Sequence, residues 1–247
     1  MRAPESPKVR TAVMVQHWRS MSFIHWRYPP EAVQALLPQG LQVQTFDGDA
    51  WVGMLPFLMD GVRPPWLPPM PWLSRFPETN LRTYVHGPDG GTGIFFFSLD
   101  AARLPAVLAA RASLNLPYCW SDMMVQDDGS RIGYRGRRRL PGPVGAGYQT
   151  RVRVGAPYSE QDLGALDHFL TARYRLYSRV VGRLVAVDVQ HPPWPLHRAE
   201  LQELRQDLTD AAGLPPPASA PLLHASPGVR VRIGHSRPAG PHRRWRT

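Results

Sequence analysis

The chain has 247 residues, of which 43% are hydrophobic and 19% are charged. This composition excludes a disordered chain and favours one folded domain with a sizeable core. The formal net charge of +10 comes from 28 arginines and one lysine, Lys8, against 19 acidic residues. The single Cys119 excludes an internal disulfide and a cysteine-based metal cluster. With no apolar leader and no run of about 18 apolar residues, we expect a cytoplasmic protein without a membrane partner.

The 28 prolines and 21 glycines divide the chain into many short elements. Strand and helix patterns interleave without regular β-α alternation, which predicts an α+β fold on a mainly antiparallel sheet that is curved or closed. Residues 1–236 are interpreted as one domain, and residues 237–247 as a basic, disordered tail in a segment that is loose from His235 onward. Strands are predicted over residues 9–15, 41–46, 50–59, 78–85, 94–100, 121–126, 131–140, 148–155, 173–177, 183–190 and 229–233. Helices are predicted after Pro30, over 101–115, after a capping box at Ser159, and over 196–212.

Two segments stand out by composition. Residues 61–72 hold five prolines and two tryptophans, so they form neither a helix nor an interior strand. This segment is interpreted either as a stiff loop packed over one end of the core or as a lid over a cavity. Arginines are dense in residues 131–139 and 230–246. Neither stretch lies in a nucleic-acid-binding motif, so a solvated basic surface is favoured over nucleic-acid binding.

The segment 76–100 organises the chain. Two predicted strands flank the turn sequence HGPDGG, and alternation places Glu78, Asn80, Arg82 and Tyr84 on one face of the first. The second strand is nearly all apolar and contains Asp100. Buried charges are costly unless they are paired or hydrogen-bonded, so these groups belong to a structural network or to a binding site.

Several stretches resemble one family, the YqjF-like bacterial proteins of unassigned function. The matching residues span about 18 to 233 and read FIHWRYPPEAVQALLPQGLQVQTFDGDAWVGMLPF, FPETNLRTYV, GIFFFSLDA, FLTARYRLY and HPPWPLHRAEL. The family is similar in fold to acetoacetate decarboxylase. The resemblance implies an antiparallel, cone-like β-barrel with peripheral helices and an internal cavity.

The resemblance does not extend to the decarboxylase's catalytic lysine, which forms a Schiff base with the substrate. Lys8 lies in the N-terminal segment, outside every matching stretch. We therefore expect no amine chemistry. Glu78, at the start of a strand similar to the decarboxylase's glutamate strand, is the one catalytic residue that the resemblance carries over, as a general acid or base.

The predicted ligand is a small anionic or carbonyl-bearing molecule, such as a carboxylate or keto acid, bound without a cofactor or a metal. Glu78 and Arg82 are about 13 Å apart along one strand, so each needs a partner from another strand. Asp100 is the predicted partner of Arg82, and Arg173 or Arg175 that of Glu78. Isolated His25 is interpreted as a satisfied core histidine. The predicted ligand-binding residues are Asn80, Arg82, Asp100, Arg173, Tyr177, His191 and Trp194.

One other interpretation stays open. In it, the protein is not catalytic: its internal charges form a structural ion-pair network, and its basic exterior meets an acidic partner. A homo-oligomer is compatible with either interpretation, and the sequence does not fix the oligomeric state.

Overall fold

The computed structural model describes residues 6–240, which form 13 strands and four short helices. The longest of these helices has 11 residues, and none is long and apolar enough to cross a bilayer. The strands are β1 (Met14–Tyr28), β2 (Gln42–Val43), β3 (Thr45–Phe46), β4 (Asp49–Arg63), β5 (Phe76–His86), β6 (Thr92–Ala101), β7 (Tyr118–Asp127), β8 (Arg131–Leu140), β9 (Gly147–Pro157), β10 (Arg175–Val180), β11 (Arg183–Gln190), β12 (His197–Gln206) and β13 (Leu222–Pro238). The helices are α1 (Pro30–Gln34), α2 (Leu104–Leu114), α3 (Ala165–Thr171) and α4 (Leu208–Ala211).

All the strands belong to one curved sheet, in the order β11-β10-β6-β7-β8-β9-β12-β13-β1-β4-β5-β2, with β3 beside β4. Two further pairings, β11 with β13 and β5 with β6, close a ring of seven strands. Two pairings are parallel, those of β6 with β7 and of β6 with β10, and the other pairings among the described strands are antiparallel. The predicted α+β fold with a mainly antiparallel, curved sheet is confirmed.

Two apolar cores lie on opposite faces of β1, β4 and β5. The first is lined by all seven strands of the ring and includes Phe23, Phe57 and Tyr84. The second lies between the other face of these strands and β8, β9 and α4, around Met54 and Tyr148. Both faces of these three strands are thus covered, which explains why their sequences are so apolar.

The hairpin predictions are confirmed. Asp47 and Gly48 both have positive φ, 51° and 86°, as a two-residue reversal between β3 and β4 requires. The strands β5 and β6 also pair across their Gly-rich turn. The meander β7-β8-β9 is present as predicted.

Four local predictions were wrong. Residues 197–206 form a strand rather than a helix. A register shift between Leu201 and Glu203 lets both Leu201 and Leu204 pack against the second core. Two leucines three residues apart, a spacing typical of a helix, therefore share one face of this strand. Ser159 does not begin a helix: its backbone N–H donates to the side chain of Asp162 in a local turn, and α3 begins only at Ala165. The first strand begins at Met14 instead of residue 9.

The fourth wrong prediction is that the chain is loose from His235 onward. Residues 236–238 instead pair with β11 as the end of β13. The rest of the predicted tail, from residue 241, lies outside the described residues.

Candidate functional site

Polar side chains converge in the core inside the seven-strand ring. On β5, Glu78, Asn80 and Arg82 alternate with residues that face the second core, and they are only 3 to 6% exposed. The strand register places Arg82 opposite Gly53 on β4, and Gly53 opposite His25 on β1. A Cβ atom at Gly53 would lie 2.6 Å from the His25 ring. The missing side chain therefore lets the histidine lie over β4, toward Arg82.

The guanidinium of Arg82 points toward α3. Its Nη2 donates to the Leu170 carbonyl at 3.2 Å, and its Nε has no partner among the described residues. The Tyr84 hydroxyl donates to the same carbonyl at 2.8 Å. The end of α3 thus covers this part of the ring with a backbone oxygen.

A second arginine approaches from the segment after α3. Arg173 stacks over the rings of Phe169 and Tyr84, at 4.3 and 4.7 Å, and donates to Gln44 Oε1 at 2.6 Å. Burial lowers the pKa of Arg173 to about 10, with Tyr84 opposing and the charge of Arg82 adding to the shift. Within residues 6–240, neither arginine contacts a carboxylate within 4.0 Å.

His25 was expected to be a satisfied core histidine, but only one of its nitrogens has a partner. Nε2 lies 2.6 Å from the Tyr84 hydroxyl, whose proton is donated to Leu170, so Nε2 carries the hydrogen. The Nδ1 atom is then an acceptor, and it has no partner in the described part of the chain. Burial lowers the pKa of His25 well below its ordinary value, as do the charges of Arg82, His224 and Arg173.

Glu78 lies at the other end of the same strand face. The Tyr118 hydroxyl donates to its carboxylate at 3.1 Å, and burial raises the pKa of Glu78 to about 8, opposed by this bond and assisted by the charge of Asp100. The predicted partners were wrong: Arg175 bonds Asp89 and Asp188, and Arg173 bonds Gln44. Burial thus favours the uncharged form of the Glu78 carboxyl.

Asp100 lies on the opposite face of the sheet from Arg82, so the predicted pairing of these two residues was wrong. Asp100 lies opposite Thr79 of β5 in the strand register. Its carboxylate oxygens accept hydrogen bonds from Arg138 Nε and Nη2 at 2.8 and 2.9 Å. Ser121 donates a further bond at 2.7 Å. This buried ion pair is complete in itself, as a structural network would be.

The remaining predicted residues lie in two places. His191 and Trp194 are in the ring core, where Trp194 stacks on Trp18 and His191 contacts the Arg173 carbonyl at 3.2 Å. Tyr177 instead lies beneath the glycines of the β5–β6 turn and donates to Asp89 at 2.7 Å. The geometry therefore separates Tyr177 from the arginines.

Sequence reasoning missed several groups that complete this region. His224 is fully buried and its Nε2 donates to Asp167 on α3 at 2.8 Å. The Asn80 Oδ1 and Trp51 Nε1 atoms are buried without partners among the described residues. Asn80 was identified by alternation, but no local pattern joins His25, Trp51 and His224, because they come from three different strands or loops.

Neither an interior lysine nor a cluster of metal ligands is found among residues 6–240. Lys8 is exposed, outside the ring, so the interior offers no amine nucleophile. Among residues 6–240, no three histidine, cysteine or acidic residues come together as metal ligands. A groove of about 760 Å³ lies elsewhere, on the outer face of β7, β8, β9 and β12.

The fold is similar to that of acetoacetate decarboxylase-like structures. It is similar to acetoacetate decarboxylase from Legionella pneumophila, with a TM-score of 0.63 and 12% identity, covering 98% of this chain and 93% of that one. It is also similar to the enduracididine biosynthesis enzyme MppR complexed with the condensation product of pyruvate and imidazole 4-carboxaldehyde, with a TM-score of 0.65 and 14% identity, covering 97% and 98% of the two chains.

The family is shown by sequence. Residues 15–230 match DUF2071, described as an uncharacterized conserved protein, and the chain belongs to this family. It is 41% identical over 214 residues to the uncharacterized protein YqjF of Bacillus subtilis (strain 168), covering 86% of each chain. The resemblance noted in the sequence is thereby confirmed.

Proposed function

We propose that the seven-strand ring binds a small carboxylate that also carries a carbonyl group. The observation that carries this proposal is a pair of guanidinium groups, buried Arg82 and half-buried Arg173, without a carboxylate partner within residues 6–240. Two like charges enclosed together are costly, and an anionic ligand between them would offset that cost. The free Arg82 Nε–H is a further donor for this anion, whereas the free acceptors His25 Nδ1 and Asn80 Oδ1 would need a donor from the ligand or from a water.

The spacing along β5 favours an extended ligand. Glu78 and Arg82 are separated by four residues, or about 13 Å, so a keto acid of roughly five or six carbons with a second carboxylate would reach both. In this arrangement the distal carboxylate binds Arg82 and Arg173. The keto end lies near Asn80 and Glu78.

Glu78 is suited to proton transfer rather than to covalent catalysis. Its pKa of about 8 means that both the acid and the carboxylate are populated in the mildly alkaline range. The carboxylate would accept a proton from the carbon beside the carbonyl, and the acid would return it, while the Asn80 amide N–H stabilises the enolate oxygen. No Schiff base is involved, because Lys8 is exposed.

Ligand-induced thermal stabilisation tests the binding step. We expect 2-oxoadipate to raise the melting temperature of the full chain, and the Arg82→Gln variant to lose most of this rise because the carboxylate loses its bidentate partner. The matched control is Arg131→Gln, which removes an exposed arginine of β8. The proposal fails if no keto acid or dicarboxylate stabilises the protein, or if Arg82→Gln responds like the wild type.

Isotope exchange tests the chemical step separately. In D2O, we expect the protein to exchange the protons beside the carbonyl of 2-oxoadipate, measured by proton NMR. The Glu78→Gln variant should exchange at least tenfold more slowly while it keeps the thermal stabilisation, since the amide can neither accept nor return a proton. Equal exchange rates would assign the proton transfer to another group, and binding without exchange by the wild type would leave a binding protein instead of an enzyme.

A further inference from the structure

The loop between β4 and β5 and the adjoining helix α2 carry a concentrated apolar surface. Eleven large apolar side chains are exposed among residues 6–240, and six of them lie in these two segments. The four on the loop are 50 to 74% exposed. We call the six side chains the apolar patch: Trp66, Leu67, Met70, Trp72, Leu104 and Leu108.

The loop that bears this patch is held in place by specific contacts. Ser74 Oγ donates to the Val62 carbonyl at 2.7 Å and accepts the Met70 N–H at 2.9 Å. Arg103, which immediately precedes α2, donates from Nε to the Trp72 carbonyl at 3.0 Å and stacks on the Trp72 ring at 4.8 Å. The side chains are therefore presented outward by a fixed backbone that joins the loop to the helix.

The backbone of this loop is unusually poor in free hydrogen-bond donors. Five of the eight residues from 64 to 71 are prolines, which have no N–H. The Leu67 N–H donates to the Pro64 carbonyl, and the Met70 N–H donates to Ser74. Among these eight residues, the backbone N–H of Trp66 is the one donor that has no partner in the described part of the chain. Transfer of the loop into an apolar phase would thus leave few donors unsatisfied.

Within the two chain segments that carry the patch, the charged residues have a single sign. Residues 61–76 and 101–117 contain no aspartate or glutamate but four arginines, Arg63, Arg75, Arg103 and Arg111. Among the described residues, none of the four forms a salt bridge. A second copy docked on this face across a two-fold axis would bring arginines against arginines with no acid between them. Charge complementarity instead requires a partner that is both apolar and anionic.

We propose that the apolar patch docks on the surface of an anionic lipid bilayer. Tryptophan side chains are favoured at the boundary between headgroups and acyl chains, and exposed leucine and methionine add buried apolar area there. Arginines beside an anionic membrane surface add electrostatic attraction to this apolar contact. The sequence predicted no membrane partner because it lacks a spanning segment, but surface docking needs only this loop and the face of α2.

Co-sedimentation with lipid vesicles tests the proposal. We expect the purified full chain to bind vesicles of phosphatidylglycerol and phosphatidylcholine, to bind pure phosphatidylcholine vesicles at least tenfold more weakly, and to be released by high salt. The double variant Trp66→Ser/Trp72→Ser should bind the anionic vesicles at least tenfold more weakly. The control Leu140→Ser/Val181→Ser, which removes two exposed apolar side chains elsewhere, should bind like the wild type.

Three outcomes would overturn the proposal. The first is no binding of the wild type to anionic vesicles. The second is equal binding by the tryptophan variant, which would assign the attraction to general basic charge. The third is a concentration-dependent dimer in analytical ultracentrifugation that the tryptophan variant abolishes, which would assign the patch to a second copy. Far-ultraviolet circular dichroism confirms that each variant is folded before it is compared.

Discussion

At the scale of single residues, two carboxyl groups on neighbouring strands are buried in opposite ways. Asp100 forms a salt bridge with Arg138 and accepts a hydrogen bond from Ser121. Among the described residues, Glu78 is bonded by the Tyr118 hydroxyl alone, and burial raises its pKa to about 8. The first carboxyl group is thus part of a complete ion pair, whereas the second is buried without a cationic partner in the described part of the chain.

Glu78 should make stability depend on pH in a defined window. Between pH 4.5, its ordinary pKa, and about 8, the folded state keeps a proton that the unfolded state releases. The free energy of unfolding therefore falls as pH rises across this window, by at most about 1.4 kcal/mol per pH unit from this group. Glu78→Gln should remove this fall and be the more stable protein at pH 9, as measured by urea unfolding.

The control for this measurement is Glu160→Gln, which changes an exposed glutamate to the same amide. Its unfolding free energy should follow the wild type at every pH. Parallel pH profiles for Glu78→Gln and the wild type would show that the Glu78 carboxyl titrates normally in the folded protein, contrary to its buried position.

At the scale of elements, α3 contacts the interior of the ring and β13 closes the ring. Helix α3 supplies the Leu170 carbonyl to Arg82 and Tyr84, and Asp167 to His224, so one short helix binds to two strands, β5 and β13. Strand β13 pairs with β1, β11 and β12. Its last residues complete the ring through β11, where Arg237 makes two bonds to Asp188, at 2.6 and 3.2 Å.

Truncation should separate the closing strand from the residues beyond it. Deleting residues 235–247 removes the pairing with β11 at positions 236–238 and leaves the Val187 edge unpaired, so we expect a clear fall in melting temperature. Deleting only residues 241–247 keeps every one of these pairs and should leave the melting temperature within about a degree. Equal melting temperatures for both truncations would show that the β11–β13 contact past Gly234 contributes no stability.

At the scale of the whole molecule, one layer of strands serves two cores with different contents. On the face toward β8 and β9, the buried charge and several hydroxyl groups are paired, as in Asp100 with Arg138 and Thr79 with Tyr148. The face inside the ring contains two arginines without a carboxylate partner among the described residues, and the free atoms of His25 and Asn80. The second core, toward β8 and β9, is therefore organised for stability. The first core, inside the ring, is the one in which an anionic ligand would improve the balance of charge.

Sequence reasoning could predict those features that depend on neighbours along the chain. Alternation placed Glu78, Asn80 and Arg82 on one face, and Asp47-Gly48 identified a turn. It failed where a bulge changed the phase of a strand, as in β12, because a three-residue spacing of leucines is then the same in a strand and a helix.

The sequence by itself determined the fold class, the inward face of β5 and the family, since these depend on local periodicity and on matching stretches. Only the tertiary structure decided which charges meet. Partners such as Asp100 with Arg138, or His25 with Tyr84, lie 38 and 59 residues apart, and strand register rather than spacing brings them together. The physical reason is that the energy of a buried charge depends on its distance to partners in space, which the order of residues does not specify.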